Sequence, residues 1–248
     1  MLMTSIARKK ELVSRLQTDI LRWQGFKLPS AQTQAIGLGA VEKAFPNGVF
    51  PTGTVHEFVC GTPEQAAASG GFLGGILASL MQNNGACLWI STSRTIFPPA
   101  LKIFGIEPDK VIFIDLRRER DVLWVTEEAL KCEGLAAVIA ELREIDFAQS
   151  RRLQLAVEKS KVTGFVIRTD PQKLTATTCV ARWQITSLPS QLENGMPGVG
   201  YPRWNVELTK VRNGNPGNWK MEWSPEGFIP VKEPVAIKVP IVRKLKAV

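Results

Sequence analysis

From Gln65 to Ser93 the chain carries no charged side chain, with Glu64 and Arg94 closing the stretch at its two ends. So long an uncharged run belongs inside something, either a bilayer or a protein core. Gln65, Ser69, Gln82, Asn83 and Asn84 interrupt it, so no part offers the roughly 20 consecutive apolar residues that a membrane crossing needs. The remaining reading is a buried helix over residues 65–82, a turn at Asn83, Asn84 and Gly85, and a buried strand over 86–91.

The flanking pattern continues that alternation. A short helix and a Pro/Gly turn after Leu38 lead to a strand over 54–60, which Gly61 ends. Beyond residue 91 the spacing predicts a helix over 98–104, a strand over 110–115, a helix over 122–132 and a strand over 135–140. A helix over 147–160 and a strand over 164–168 follow. Asp146 with Gln149 three residues later makes a capping box, which marks the start of that helix firmly. The βαβ rhythm and the apolar runs AAVIA and GFVI predict an α/β fold with a mostly parallel sheet covered by helices on both faces.

After Arg168 the period becomes two. Cys179, Ala181, Trp183 and Ile185 alternate with polar neighbours, as do Trp204, Val206 and Leu208, and then Trp219, Met221 and Trp223. RNGNPG at 212–217 lies between the last two runs, so antiparallel strands are expected on the C-terminal side of the sheet. Residues 189–202, rich in Pro and Gly, read as a loop. The domain plan is an N-terminal helical extension over 1–27, a core over 38–228 and an extended basic tail over 229–248.

At 248 residues with 44% apolar and 22% charged side chains, the chain can bury one full core. Its net charge of +8 is concentrated at the ends: residues 1–27 hold six Lys or Arg against two acids, and 199–248 hold nine against four. Basic arms meet acidic partners or nucleic acid. In the first arm Ile6, Val13, Leu16, Ile20 and Trp23 form a helical stripe that seeks a partner. In the second, Lys238, Arg243, Lys244 and Lys246 are the candidate contacts. Arg151, Arg152, Arg182, Lys210 and Arg212, near Trp204 or Trp219, compose an alternative basic face for single-stranded DNA.

Catalytic chemistry is harder to place. Cys60, Cys87, Cys132 and Cys179 are isolated and His56 is the sole histidine, so no metal site is expected and the thiols read as reduced, in a cytoplasmic protein. No nucleophile elbow accompanies His56. Glu127 and Glu128 are adjacent on a helix and point apart, and Glu141 stands at a strand end, so none makes an acid–base pair.

The turn after the first strand is where a parallel sheet holds phosphate. Here it reads GTPEQAAASGG. A working phosphate loop needs glycine to curl its backbone, lysine to neutralise the phosphate and a hydroxyl to hold magnesium. Counted from Gly61, those positions are Ala66, Ala67 and Ala68. Gly61, Thr62, Pro63, Glu64, Ser69, Gly70 and Gly71 therefore read as a degenerate phosphate loop, with neither ATP nor any other cofactor expected and no catalytic residue. A loop shifted to Ser69, Gly70 and Gly71, supporting a weak ATPase, is the alternative.

The stretch GLGAVEKAFPNGVFPTGTVHEFVCG, leading into a small-residue helix, resembles the start of a bacterial RecA core, and the likeness covers about residues 38–228. HEF at 56–58, LWIS at 88–91, SRRLQLA at 150–156 and VRNGNPGNWKMEW at 211–223, in that order, resemble the ImuA family. The resemblance implies a RecA-like core and a role in damage-induced (SOS-type) mutagenic translesion synthesis. It implies as partners an ImuB-like Y-family polymerase homologue, RecA and an error-prone C-family polymerase. It also implies that Ser93 stands where recombinases keep a water-activating glutamate, Glu141 near a magnesium-holding aspartate, and Arg168 in place of a phosphate-sensing glutamine. Residues 169–178 would replace the recombinase DNA-binding loop in shorter form. The expectation is a non-catalytic RecA-fold adaptor that meets no membrane. A single-stranded-DNA-binding module and the weak ATPase are the alternatives.

Overall fold

A computed structural model describes residues 12, 13, 15, 16, 19, 36–82, 85–192 and 199–231. Among the described residues nine strands form one sheet: β1 Val55–Cys60, β2 Ala86–Ser91, β3 Val111–Asp115, β4 Leu135–Leu142, β5 Thr163–Thr169, β6 Ala181–Leu188, β7 Arg203–Val211, β8 Gly217–Ser224 and β9 Gly227–Pro230. Their order is β3-β2-β4-β5-β1-β6-β7-β8-β9. Pairing is parallel from β3 to β6 and antiparallel from β6 to β9. This is the α/β architecture expected from the sequence, a RecA-like parallel sheet extended on its C-terminal side.

Helix α1, Pro63–Leu80, covers one face, and α2, Glu119–Leu130, and α3, Phe147–Ser160, cover the other. Each buried strand divides its residues between the two cores because successive side chains point to opposite faces. In β5, Phe165 and Ile167 enter the core under α1, and Val166 enters the core under α2 and α3. The alternation read in β6, β7 and β8 puts Trp183, Trp204 and Trp223 on the α1 side.

Helix α1 is apolar around most of its circumference because three structures lean on it. A Cβ on Gly74 would lie 2.6 Å from the Phe104 ring, and one on Gly75 would lie 2.3 Å from the Phe228 ring. These glycines let the 3-10 helix Pro98–Phe104 and the β8–β9 hairpin approach the helix backbone. The capping box before α3 is present, with Gln149 N donating to Asp146 at 2.7 Å and Asp146 N donating to Gln149 at 2.9 Å.

Both edges of the core domain differ from the sequence reading. Ile36 is already buried, and the Glu42 carboxylate accepts the backbone N–H groups of Ile36, Gly37 and Leu38, so the core includes residues before 38. The tail expected from 229 begins later, since β9 runs to Pro230 and Val231 N donates to Lys220 O at 2.9 Å. Proline is tolerated there because β9 pairs on one side alone.

At the N-terminal end, Leu12, Val13 and Leu16 are helical and exposed at 58%, 45% and 51%. Ile6, Ile20 and Trp23 lie outside the described residues, as do Lys238, Arg243, Lys244 and Lys246. Among the described residues no helix is long and apolar enough to cross a membrane.

Candidate functional site

Only Gly61 and Thr62 separate β1 from α1. Thr62 has extended backbone angles and caps the helix: its hydroxyl accepts from Gln65 N at 3.3 Å, and the Gln65 side chain accepts from Gly61 N at 2.7 Å. Proline at the first helical position needs no acceptor for its nitrogen. The reciprocal bonds close the helix start on itself, in the place where backbone N–H groups would otherwise curl round a phosphate.

The helix expected over 65–82 is present and starts at Pro63, so of the stretch read as a degenerate phosphate loop only Gly61 and Thr62 lie outside it. Ala66, Ala67 and Ala68 are helical, and so are Ser69, Gly70 and Gly71; Ser69 and Gly70 are buried, with Ser69 Oγ 3.3 Å from Cys60 Sγ. The small residues serve packing, because a shifted loop here would unwind α1 against the sheet.

Above this helix start lies a cleft of about 780 Å³, bounded by α1, by the segment after β2 and by the ends of β4 and β5. Ile96, Phe97, Leu101 and Phe104 make its apolar wall. Trp89 and Glu141 meet at its base. Trp89 Nε1 donates to Glu141 Oε1 at 2.7 Å and Thr95 Oγ1 donates to the same oxygen at 3.2 Å. Burial pushes the Glu141 carboxyl above its ordinary value, against the opposing pull of those two donors. Ser93 is exposed at the cleft edge, and Arg143 faces Glu119 at 3.7 Å. Among the described residues no lysine lines the cleft, and no group of three His, Cys, Asp or Glu could hold a metal ion.

Arg168 does not face this cleft. Ile167 and Thr169 line it, so the alternation of β5 turns Arg168 to the opposite face of the sheet. There it is fully buried and donates to Glu57 at 2.9 Å, Glu144 at 2.7 Å and the Lys173 carbonyl at 2.7 Å. Glu57, equally buried, also accepts from Thr177 at 2.8 Å and Arg182 at 2.9 Å. The phosphate-sensing place implied for Arg168 is thus replaced by a structural ion-pair network that anchors residues 169–178.

The five residues of the alternative DNA face are not brought together as one free surface. Arg151 is exposed on α3; Arg152 is exposed but pairs with Glu127 of α2. Arg182 is turned inward to Glu57, Lys210 donates to Thr177 O at 2.6 Å, and Arg212 donates to Thr178 O. Burial lowers the Lys210 pKa, and the neighbouring Arg182 and Arg212 act in the same direction. Trp204 is buried in the core and Trp219 packs partly buried against it. The alternation put these cations on the sheet's polar face, but segment 169–178 crosses that face and takes up their donors.

His56 is likewise structural: it stacks on Phe50 with ring centroids 4.6 Å apart, donates from Nε2 to Pro51 O at 2.8 Å and accepts at Nδ1 from Trp183 Nε1 at 3.3 Å. The polar partners of the cleft base, Trp89 and Thr95, were not singled out in the sequence. Glu57 and Arg168 carried a readable signal, since charges inside strands covered on both faces require partners.

No family model matches the chain. It is 32% identical over 209 residues to Protein ImuA of Caulobacter vibrioides strain NA1000 / CB15N, covering 79% of this chain and 85% of that one. Protein ImuA of C. vibrioides strain ATCC 19089 / CIP 103742 / CB 15 matches to the same extent. With that identity over most of both chains, and with a RecA-like sheet whose phosphate-loop position is a capped helix start, the protein belongs to the ImuA family.

Proposed function

We propose that this chain is a non-catalytic adaptor of mutagenic translesion synthesis, a RecA fold retained for partner binding. Membership of the ImuA family supports the setting: the ImuB-linked mutagenesis system, with an ImuB-like polymerase homologue, an error-prone C-family polymerase and RecA as candidate partners. The observation that carries the non-catalytic reading is the Thr62–Gln65 closure of the α1 start, with alanines at the lysine and hydroxyl positions. A phosphate arriving there meets no lysine, and the N–H groups of Gly61, Gln65 and Ala66 are already engaged, while the acid nearest the base of the cleft is Glu141. Loss of one partner from a desolvated charge pair costs about 3 to 5 kcal/mol, on the order of a thousandfold in affinity.

The test uses purified full-length chain. Titration with a fluorescent ATP analogue and a phosphate-release assay, both with magnesium, are expected to show neither saturable binding at micromolar nucleotide nor turnover. Size-exclusion chromatography with each purified candidate partner, after nuclease treatment, is expected to show at least one complex. Magnesium-dependent hydrolysis abolished by Ser69→Ala would overturn the reading, and so would failure to form a complex with all three partners.

A further inference from the structure

The chain continues for seventeen residues after Val231, and this segment, 232–248, combines two chemistries. Ile237, Ile241 and Leu245 are among its many apolar residues, while Lys232, Lys238, Arg243, Lys244 and Lys246 stand against the single acid Glu233. The strand-end cleft is the complement of such a segment. Its wall is apolar, Phe97 is 69% exposed, and of its charged lining residues Glu119, Glu141 and Asp170 are acidic while Arg143 alone is basic. Acids that repel a nucleotide's phosphates attract an apolar peptide bearing lysine and arginine.

The segment starts beside Leu38 and Gly39, outside the cleft, and follows a hairpin that touches the cleft's wall. The β8–β9 hairpin is fastened to the cleft's own wall: Trp223 Nε1 donates to Ile103 O at 3.0 Å, and the Trp223 and Phe104 rings meet edge to face at 5.2 Å. From β9 to β1 the sheet counts four strand spacings, about 19 Å at ~4.8 Å each. Seventeen extended residues reach up to about 58 Å, ample for that span and for the climb to the strand ends.

We propose that the strand-end cleft is the docking site of the chain's own residues 232–248, with apolar side chains of that segment against Phe97 and Phe104 and its cations against Glu119, Glu141 and Asp170. The inference stands apart from the translesion reading, since it uses the cleft and the segment alone. Docking would hold the basic arm on its own core until a partner draws it away.

The experiment is zero-length carbodiimide coupling of dilute, full-length protein, which joins a lysine amine to a carboxylate as an amide with loss of water. An equimolar mixture of unlabelled and nitrogen-15-labelled chains separates links within one chain from links between two. The expected result is Lys238, Lys244 or Lys246 linked to Glu119 or Asp170 within one chain, falling at least fivefold in 0.5 M salt. Phe97→Ser, at an exposed position and with an unchanged circular dichroism spectrum expected, should lower the yield severalfold by spoiling the apolar wall without adding a carboxylate. Mixed-label links making up half of the total would mean a second copy's segment and overturn the proposal. So would links to acids elsewhere, no links at all, or a yield indifferent to Phe97→Ser.

Discussion

Trp89 Nε1 and Glu141 Oε1 lie 2.7 Å apart at the base of the cleft, so the carboxylate nearest a metal's implied place is already engaged by an indole N–H. A glutamine at 141 keeps an oxygen for that donor and removes a charge that burial disfavours. Because the folded pKa of Glu141 is raised above the ordinary 4.5, the folded state holds its proton more tightly than the unfolded one. Stability is thus lost as pH rises from 4.5 through the raised value, and stays reduced above it. Glu141→Gln is expected to raise the urea midpoint at pH 7.5, with the gain gone at pH 4. A lower midpoint at pH 7.5 would show that the carboxylate's hydrogen bonds outweigh its desolvation.

Glu57 and Arg168 join β1 to β5 on the α2–α3 side of the sheet, both with fully buried side chains. Arg168→Met leaves a buried carboxylate with Arg182 and Thr177 alone, and should cost about 3 to 5 kcal/mol. Adding Glu57→Gln should recover part of that loss, because the fully buried carboxylate is then gone while Arg182, 16% exposed, keeps its bond to Thr175 O. Urea unfolding of the two single variants and the double variant measures this coupling; strict additivity would remove the pair from the account of stability.

His56 predicts an acid limit. Burial drops its pKa to about 4 from 6.5, and protonation would also destroy the Nδ1 acceptor used by Trp183. The unfolded chain therefore takes up a proton first as pH falls. Stability is full above about pH 6.5 and is lost between there and pH 4, by about 3 kcal/mol. His56→Gln should lower stability at pH 7.5 yet flatten its dependence over this window, measured by urea midpoints at half-unit steps. An unchanged slope would mean that other groups govern acid unfolding.

Gly75→Ala tests packing against helix propensity. Alanine favours a helix interior by up to about 1 kcal/mol over glycine. Its Cβ would stand 2.3 Å from Phe228 Cζ and 2.9 Å from Trp223 Cζ3, however, and such overpacking costs ~1–3 kcal/mol. A net loss in thermal midpoint is expected, with Trp fluorescence altered. A gain would show that the β8–β9 hairpin can lift from α1 freely.

Much of the fold was legible because its signals are local. The uncharged run, the period of two in β6 to β8 and the Asp146–Gln149 cap each lie within a few residues, and each specifies backbone conformation directly. The ImuA-family motifs were legible on the same footing, as short strings in order. Local reading also found that alanines stand at the lysine and hydroxyl positions after β1.

The helix over those residues was expected, but why its residues are small was decided by tertiary structure. Gly71, Gly74 and Gly75 make room for Trp204, Phe104 and Phe228, which come from distant segments. Likewise, Arg182 and Lys210 look like surface cations until segment 169–178 crosses them and Glu57 accepts from Arg182 over 125 residues of chain. Sequence by itself determined which residues are apolar, charged or conformationally special. Which donors meet which acceptors was left to the three-dimensional path of the chain, because such partners are set by strand order and by the face each side chain takes, and neither is a property of neighbouring residues.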